Sequence, residues 1–417
     1  MTTDRSTTGL VATPPRLHEV KPRELTGRDT IARFEVQFRA SALAALEILK
    51  NTGIDRVYCD FQEDFVVRDV REHFPIYHFY QVKTKRKKKH QWSQVELFGL
   101  PKNLPPRSHE FFMPGGSIAN SPSSTQKTKI LGSFVGHLIE LTISFGDSCG
   151  TATFLTNAFL ADDVEETAQA IAEGRVDHPV FRYLADHFES IFPISSPPGM
   201  SMIHGWLRKL RIDAGHAYLD PYDHDFETRA SKTVFEFSEI DLMHTESVEL
   251  VDKLLSLVRR KSMSKVHEKL SSGELDELAG VSIDDLLDLL PVSRGAYTQF
   301  LASGDSSALK HASILQRKLG QAKASEEMIT AASRWKIDWD NWFRTYRHAH
   351  ESQVMTLQNQ LYEIYAKWSG GHVSFSDLAS EIASLHASLG ATPLGGTLTL
   401  ELLSGGVMAE LVRSESR

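Results

Sequence analysis

The chain has 417 residues, 41% of them hydrophobic and 24% charged, with a formal net charge of −8. That length can bury two or three cores of ordinary soluble composition. The negative balance excludes a protein that coats nucleic acid over its whole surface, but not a local cationic site, because phosphate affinity is set by the few Lys and Arg that displace counterions. No apolar run reaches membrane-spanning length, and the polar N-terminus lacks a signal-peptide pattern. Two cysteines, Cys59 and Cys149, give neither a disulfide framework nor a zinc cluster, so a reducing cytoplasm is the expected setting.

Residues 1–25 carry Pro14, Pro15 and Pro22 among Thr, Ser and Arg without periodicity, the pattern of a flexible arm. From Thr30 to Lys50, apolar side chains recur at Ile31, Phe34, Phe38, Ala42, Ala45 and Leu49, which predicts a helix that packs on a sheet. Glu35, Gln37 and Glu47 lie on that helix, within reach of a site on such a sheet. Two segments rich in Val, Ile, Phe and Tyr follow, Val57–Val67 and Ile76–Lys83, and both read as strands. Side chains two apart on a strand share a face, so Gln81 and Lys83 converge. Asp60 and Asp64 share a face if their strand runs unbroken, and Glu63 then points away.

If these strands pair as neighbours, a carboxylate, an amide oxygen and an ammonium surround one small volume. Oxygen ligands from Asp64 and Gln81 suit Mg²⁺, with Mn²⁺ as a second choice, since Mg²⁺ takes few protein ligands and completes its octahedron with water and phosphate oxygens. Such a cation activates a bound water and neutralises charge building on phosphorus, and Lys83 can orient the water or share that charge. The run Lys85, Arg86, Lys87, Lys88 and Lys89 follows at once, placed to contact DNA phosphates, with Trp92 beside it to stack on a base or sugar. A lone Asp followed by Gln-x-Lys also arises by chance, and a charge run is commonly a solvated loop. The surroundings carry the reading.

Those surroundings resemble the PD-(D/E)xK superfamily, specifically the double-stranded DNA endonuclease domain of bacterial antiphage effectors. The likeness lies in the opening helix Gly27-Arg-Asp-Thr-Ile-Ala-Arg-Phe-Glu-Val-Gln37, the acidic strand, and a strand ending Gln81-Val-Lys-Thr84. It continues into Lys129-Ile-Leu-Gly-Ser-Phe134 and Phe154-Leu-Thr-Asn157. It implies Asp64, Gln81 and Lys83 as catalytic positions, with Asp60 next and Gln37 after it. The sequence departs from the commonest pattern at Gln81, where many members carry Glu, and it has no Pro-Asp pair. Members that respond to a cyclic oligonucleotide, as in CBASS, carry an α/β sensor after the nuclease. Others are similar to nuclease partners of a HerA-type ring ATPase.

Beyond the basic run, residues 99–128 hold five prolines among Gly and Ser and read as a long loop. Strands are expected at Leu138–Phe145 and Thr151–Leu155, and an acidic helix from Ala161 to Ala172. The cluster His216, Asp220, His224 and Asp225 is interrupted by Pro221 and matches no common zinc spacing, so it reads as a turn. From about 238 the apolar spacing becomes helical, at Val248 to Val258, Leu286 to Leu290 and Leu309 to Leu319. Few strands are expected there, which argues against direct nucleotide sensing, and no Gly-x-x-x-x-Gly-Lys-Ser/Thr loop supplies a motor. A stretch without Pro or Gly from Ser325 to Trp368 places Trp335, Trp339, Trp342 and Tyr346 on one stripe, which is either internal core or a docking face for another subunit.

The expectation is an α/β protein: a restriction-endonuclease-like mixed sheet flanked by helices at 26–215, followed by an all-α domain at 238–417. Its expected activity is metal-dependent cleavage of double-stranded DNA in antiphage defence, controlled by oligomerisation or by a HerA-type ATPase, away from any membrane. The competing readings are a nonenzymatic nucleic-acid-binding or assembly subunit on the same fold, and an RNase.

Overall fold

The computed structural model describes residues 26–415, apart from 72–73, 86–88, 102–103, 105–121, 195, 221–223, 240–243, 268–269 and 391. The expected N-terminal arm therefore lies outside the described residues, as does most of the expected loop at 99–128. The first described element is the helix Thr26–Leu46 (α1), which tightens into a 3-10 turn over Glu47–Lys50. This is the helix the apolar spacing predicts, and it buries Val36, Ala40, Ala42, Ala45 and Leu46.

Among the described residues eight strands follow: β1 (Ile54–Phe61), β2 (Glu63–Asp69), β3 (Ile76–Lys83), β4 (Gln91–Trp92), β5 (Cys149–Thr156), β6 (Phe159–Leu160), β7 (Leu210–Asp213) and β8 (Gly280–Ser282). Six of them form one mixed sheet in the order β7-β5-β3-β2-β1-β8, while β4 and β6 form a short parallel pair. The hairpin β1–β2 and its continuation β2–β3 are antiparallel, and β3–β5 and β5–β7 are parallel. The parallel joins need long crossovers, which the helices between residues 94 and 207 supply.

Alternation along the strands divides the side chains between two layers. Val57, Cys59, Phe65, Val67, Val82 and Leu155 meet α1 on one side. Tyr58, Val66 and Phe79 meet Phe145 on the other, where Ala152 and Phe154 join Leu138 and Ile139. Those last two belong to a helix, Phe134–Phe145, which corrects the strand expected at Leu138–Phe145. Leu, Ile, Thr and Phe suit both structures at that length, and the deciding feature is the cap: Ser133 Oγ accepts the N–H of Gly136 at 2.9 Å. Likewise Ser124–Leu131 is helical, where the loop was expected to run to 128. The strand at Thr151–Leu155 and the acidic helix, here Asp162–Glu173, form as expected.

The C-terminal region is helical, as the spacing predicts, with β8 as its one contribution to the sheet among the described residues: Gly280 to Ser282 pair with Tyr58 to Arg56. One buried cluster runs from Val36 of α1 to Val412, so the sheet and these helices share a core. The stretch from Ser325 to Trp368 is broken at Arg347–His350 into two helices, Glu326–Tyr346 and Glu351–Ser369. The aromatic stripe on the first faces inward. Trp339 and Trp342 are buried and stacked at 5.1 Å, and Tyr346 stacks on Trp342 at 5.0 Å. They pack against the helix Leu400–Glu415. A Cβ on Gly405 would meet the Trp335 carbonyl at 1.9 Å, so the two helix backbones touch there and only glycine fits. The stripe is core, not a docking face. Among the described residues no helix is long and apolar enough to cross a membrane.

Candidate active site

The acidic segment is not one strand. The chain reverses over Gln62, so that Phe61 faces Glu63 across a hairpin. Asp60 (φ 50°) and Gln62 (φ 65°) sit in the left-handed region, which costs a residue with a Cβ about 1 kcal/mol or more each. This corrects the expected unbroken strand from Val57 to Val67: β-forming residues continue on both sides of a turn that carries no Gly or Pro to announce it. It also corrects the expected direction of Glu63. Rather than pointing away, both its carboxylate oxygens lie 3.4 Å from Gln81 Nε2.

The β2–β3 ladder runs from Asp69↔Ile76 to Phe65↔Tyr80. Past that rung the Asp64 carboxylate replaces a main-chain acceptor: Oδ2 accepts the N–H of Val82 at 2.6 Å and lies 3.2 Å from Lys83 Nζ. On its other side, Gln37 of α1 donates Nε2–H to Asp64 Oδ1 at 2.5 Å. The fold thus gathers Gln37, Glu63, Asp64, Gln81 and Lys83 at one end of β2 and β3. Asp60 sits exposed at the hairpin turn beside them.

Electrostatically the cluster is short of positive charge. Burial first, and the charge of Asp64 second, push the Glu63 carboxyl up to about 7. The same two causes, in the same order, raise Asp60. Both shifts mean that the ionised form lacks compensation. Among the described residues, the one ion pair these three carboxylates make is Lys83–Asp64.

Whether these residues fit a divalent cation turns on Gln81. It is 7% exposed, and its Oε1 is buried without a hydrogen-bond partner. An amide oxygen left so costs about 1–3 kcal/mol, and a cation would supply what is missing. Carboxylate and amide oxygens are the hard donors that suit Mg²⁺ and Mn²⁺. The described residues hold no preformed cage of three or more His, Cys, Asp or Glu, but Mg²⁺ does not need one, because water and substrate phosphate fill the remaining positions. The donor set fits.

The basic run is divided. Arg86, Lys87 and Lys88 lie outside the described residues, and Lys89 is exposed. Lys85 turns inward: its Nζ lies 3.2 Å from Glu96 and 4.1 Å from the centre of the Trp92 ring, and its N–H is donated to Asn157 Oδ1 at 2.9 Å. Trp92, expected to stack on a base or sugar, is 3% exposed. Its indole N–H is donated to Thr156 at 3.0 Å and its ring meets Phe134 and Phe154 edge-on, so the core has already claimed both its polar and its apolar surface. The cluster near 216 forms a 3-10 turn over Ala217–Leu219, with His216 paired to Asp213 at 2.7 Å and Asp225 to Arg229 at 2.6 Å.

Residues 25–110, which contain α1, the hairpin and β3, match the family model for the Cap4 dsDNA endonuclease domain. Among solved structures, one of the Acinetobacter baumannii Cap4 SAVED/CARF-domain containing receptor with the cyclic trinucleotide 3'3'3'-cAAA aligns at 11% identity and a TM-score of 0.33, over 72% of this chain and 64% of that one. A second structure of that receptor aligns at 12% identity and a TM-score of 0.32, over 72% and 66%. This chain therefore spans somewhat less than two thirds of the length of those receptors. No curated protein matches it. The segment that builds the carboxylate, glutamine and lysine site is thus the one similar to the Cap4 dsDNA endonuclease domain, and its arrangement is consistent with the PD-(D/E)xK pattern.

Proposed function

We propose that this chain is a metal-dependent endonuclease that cleaves double-stranded DNA in antiphage defence, with Asp64, Gln81 and Lys83 as its catalytic groups. The observation that carries this reading is the meeting of Lys83 Nζ and Asp64 Oδ2 at 3.2 Å beside the unpartnered amide oxygen of Gln81. In this reading Asp64 and Gln81 hold a Mg²⁺ or Mn²⁺ ion, which when bound lowers the pKa of water and neutralises charge on the phosphate. Lys83 orients the attacking water and stabilises the same developing charge, as a compact ammonium. Gln37 fixes the rotamer of Asp64 from α1 and is a positioning residue. Asp60 at the turn extends the negative field toward the cation. The exposed Lys89 is assigned to the DNA backbone together with Arg86, Lys87 and Lys88 of the same run, whereas Lys85, expected there too, is already held by Glu96 and Trp92.

Restraint of the nuclease is assigned to self-association or to a separate HerA-type ATPase. The buried aromatic stripe does not serve either contact. The test is to incubate the full-length protein, alone and with such an ATPase, with plasmid and Mg²⁺. Nicking or linearisation that persists in Lys253→Ala, a surface variant, and disappears in Lys83→Ala supports the proposal. DNA binding without cleavage in every combination refutes it, and preferential loss of RNA from a mixed RNA and duplex substrate refutes the assigned substrate.

A further inference from the structure

The catalytic assignment leaves Glu63 without a task, although its carboxylate is the one most at odds with its surroundings. The hairpin holds it where it is at the expense of left-handed backbone at Asp60 and Gln62. That turn sets Glu63 and Asp64, consecutive in sequence, against the same end of β3. Asp64 takes the Val82 N–H and the Lys83 ammonium, and Glu63 takes the Gln81 amide. Neither contact of Glu63 with Gln81 is a good one, since at 3.4 Å the two bonds from Gln81 Nε2 are at the far limit of hydrogen bonding.

Gln81 supplies the independent observation. More than nine-tenths of it is buried, its terminal amide lies against Glu63, and its oxygen has no donor. A half-buried carboxylate beside a buried acceptor that lacks a partner marks a place short of positive charge, and no described cation other than Lys83 pairs with this cluster.

We infer that Glu63 is a third protein oxygen ligand of the divalent cation, beside Asp64 and Gln81. The inference rests on the metal-dependent reading above. It explains why the turn is held in a costly conformation: reversing over a single residue lets neighbouring carboxylates on β2 serve one ion. It also accounts for Gln at position 81. With Glu63 supplying the second negative charge, a neutral oxygen at 81 suffices, and three carboxylates around one dication are avoided.

The test measures metal uptake rather than cleavage. Full-length protein bound to a phosphorothioate duplex is titrated with Mn²⁺, and free Mn²⁺ is followed by electron paramagnetic resonance. Glu63→Gln, nearly isosteric, is expected to weaken Mn²⁺ binding by about tenfold or more, as Asp64→Asn does, the scale on which groups that support a metal act. Glu173→Gln, at the end of a distant surface helix, is expected to bind as the wild type does. The metal-free melting temperature of Glu63→Gln is expected at or above that of the wild type, which separates a lost ligand from a lost fold. Wild-type Mn²⁺ affinity in Glu63→Gln, with binding lost in Asp64→Asn, overturns this inference and leaves the nuclease reading standing. A wild-type protein that takes up no Mn²⁺ overturns both. If Glu63→Gln does not fold, Glu63→Asp is read in its place, with weakened binding expected and unchanged binding overturning the inference.

Discussion

The hairpin β1–β2 carries polar clusters at both ends, and they are built on opposite terms. Away from the turn, Arg68 is saturated. Its guanidinium meets Asp55 at 2.6 Å and 2.9 Å and Asp276 at 3.0 Å, and Tyr58 bonds Asp276 at 2.5 Å. Asp276 lies on the helix Ser272–Leu278, just before β8, so this cluster fastens the C-terminal region to the sheet. Burial first, and its bond to Asp276 second, push the pKa of the Tyr58 hydroxyl far up, against the lowering influence of Arg68. At the turn end, carboxylates outnumber ammonium groups, one acceptor has no donor, and the backbone is strained. Two clusters on the same strands, with similar residue types, therefore differ in whether their charges are paired: even Arg56, whose Nε makes no hydrogen bond, lies 3.6 Å from Asp276. The paired one stabilises the fold, whereas the other is, in the proposed reading, left for a cation that the chain does not itself supply.

Variants at the two ends should therefore fail in different ways. The largest effect is expected from Lys83→Ala, which should lower the plasmid cleavage rate by about 10²–10³-fold or more while leaving the urea midpoint unchanged. A midpoint that drops with the rate would erase the distinction between the clusters. Asp276→Ala should do the converse. It leaves the Arg68 side chain, 12% exposed, and Tyr58 short of a partner, and should cost about 3 kcal/mol of stability in urea titration, with cleavage per folded molecule preserved. Next, adding Mg²⁺ at roughly a hundred times its dissociation constant should stabilise the wild type by about 2.7 kcal/mol and Asp64→Asn hardly at all. An equal rise in both melting temperatures would mean that the ion binds elsewhere.

The smallest effect concerns His78 on β3, between the two clusters. Burial first holds its pKa below the usual 6.5, against the raising influence of Asp69 and with the lowering one of Arg71. The folded state therefore resists protonation where the unfolded chain accepts it, so this contribution is intact above pH 6.5 and is lost as pH falls below it. His78→Gln should flatten the decline in melting temperature between about pH 6.5 and pH 5. A steeper decline in the variant would show that the imidazole is charged in the fold.

Much of the candidate site was legible from residue order. Alternation on Ile76–Lys83 puts Gln81 and Lys83 together because period two is a local property of extended backbone. The helical spacing from Thr30 likewise led to Gln37. What escaped was the hairpin. The usual markers of a two-strand reversal are Asn-Gly or Gly-rich pairs, and here left-handed Asp60 and Gln62 do that work without them. The missed turn leaves the alternation itself unchanged, since Phe61 pairs with Glu63 and Cys59 with Phe65, but it brings Glu63 to the end of β2, where its carboxylate reaches Gln81. Trp92 was misread for a related reason: an aromatic beside a basic run looks available until Phe134 and Phe154, distant in sequence, close over it.

The sequence by itself determined the helix that bears Gln37, the strand that ends in Gln81 and Lys83, and the helical character beyond residue 238, since each follows from a repeat within a few residues. Tertiary structure alone decided that residue 63 joins residue 64, that the tryptophan stripe closes on Gly405, and that Gly280–Ser282 completes the sheet. Those outcomes depend on contacts between segments far apart in the chain, and no local period encodes which distant surface arrives to satisfy a buried polar group.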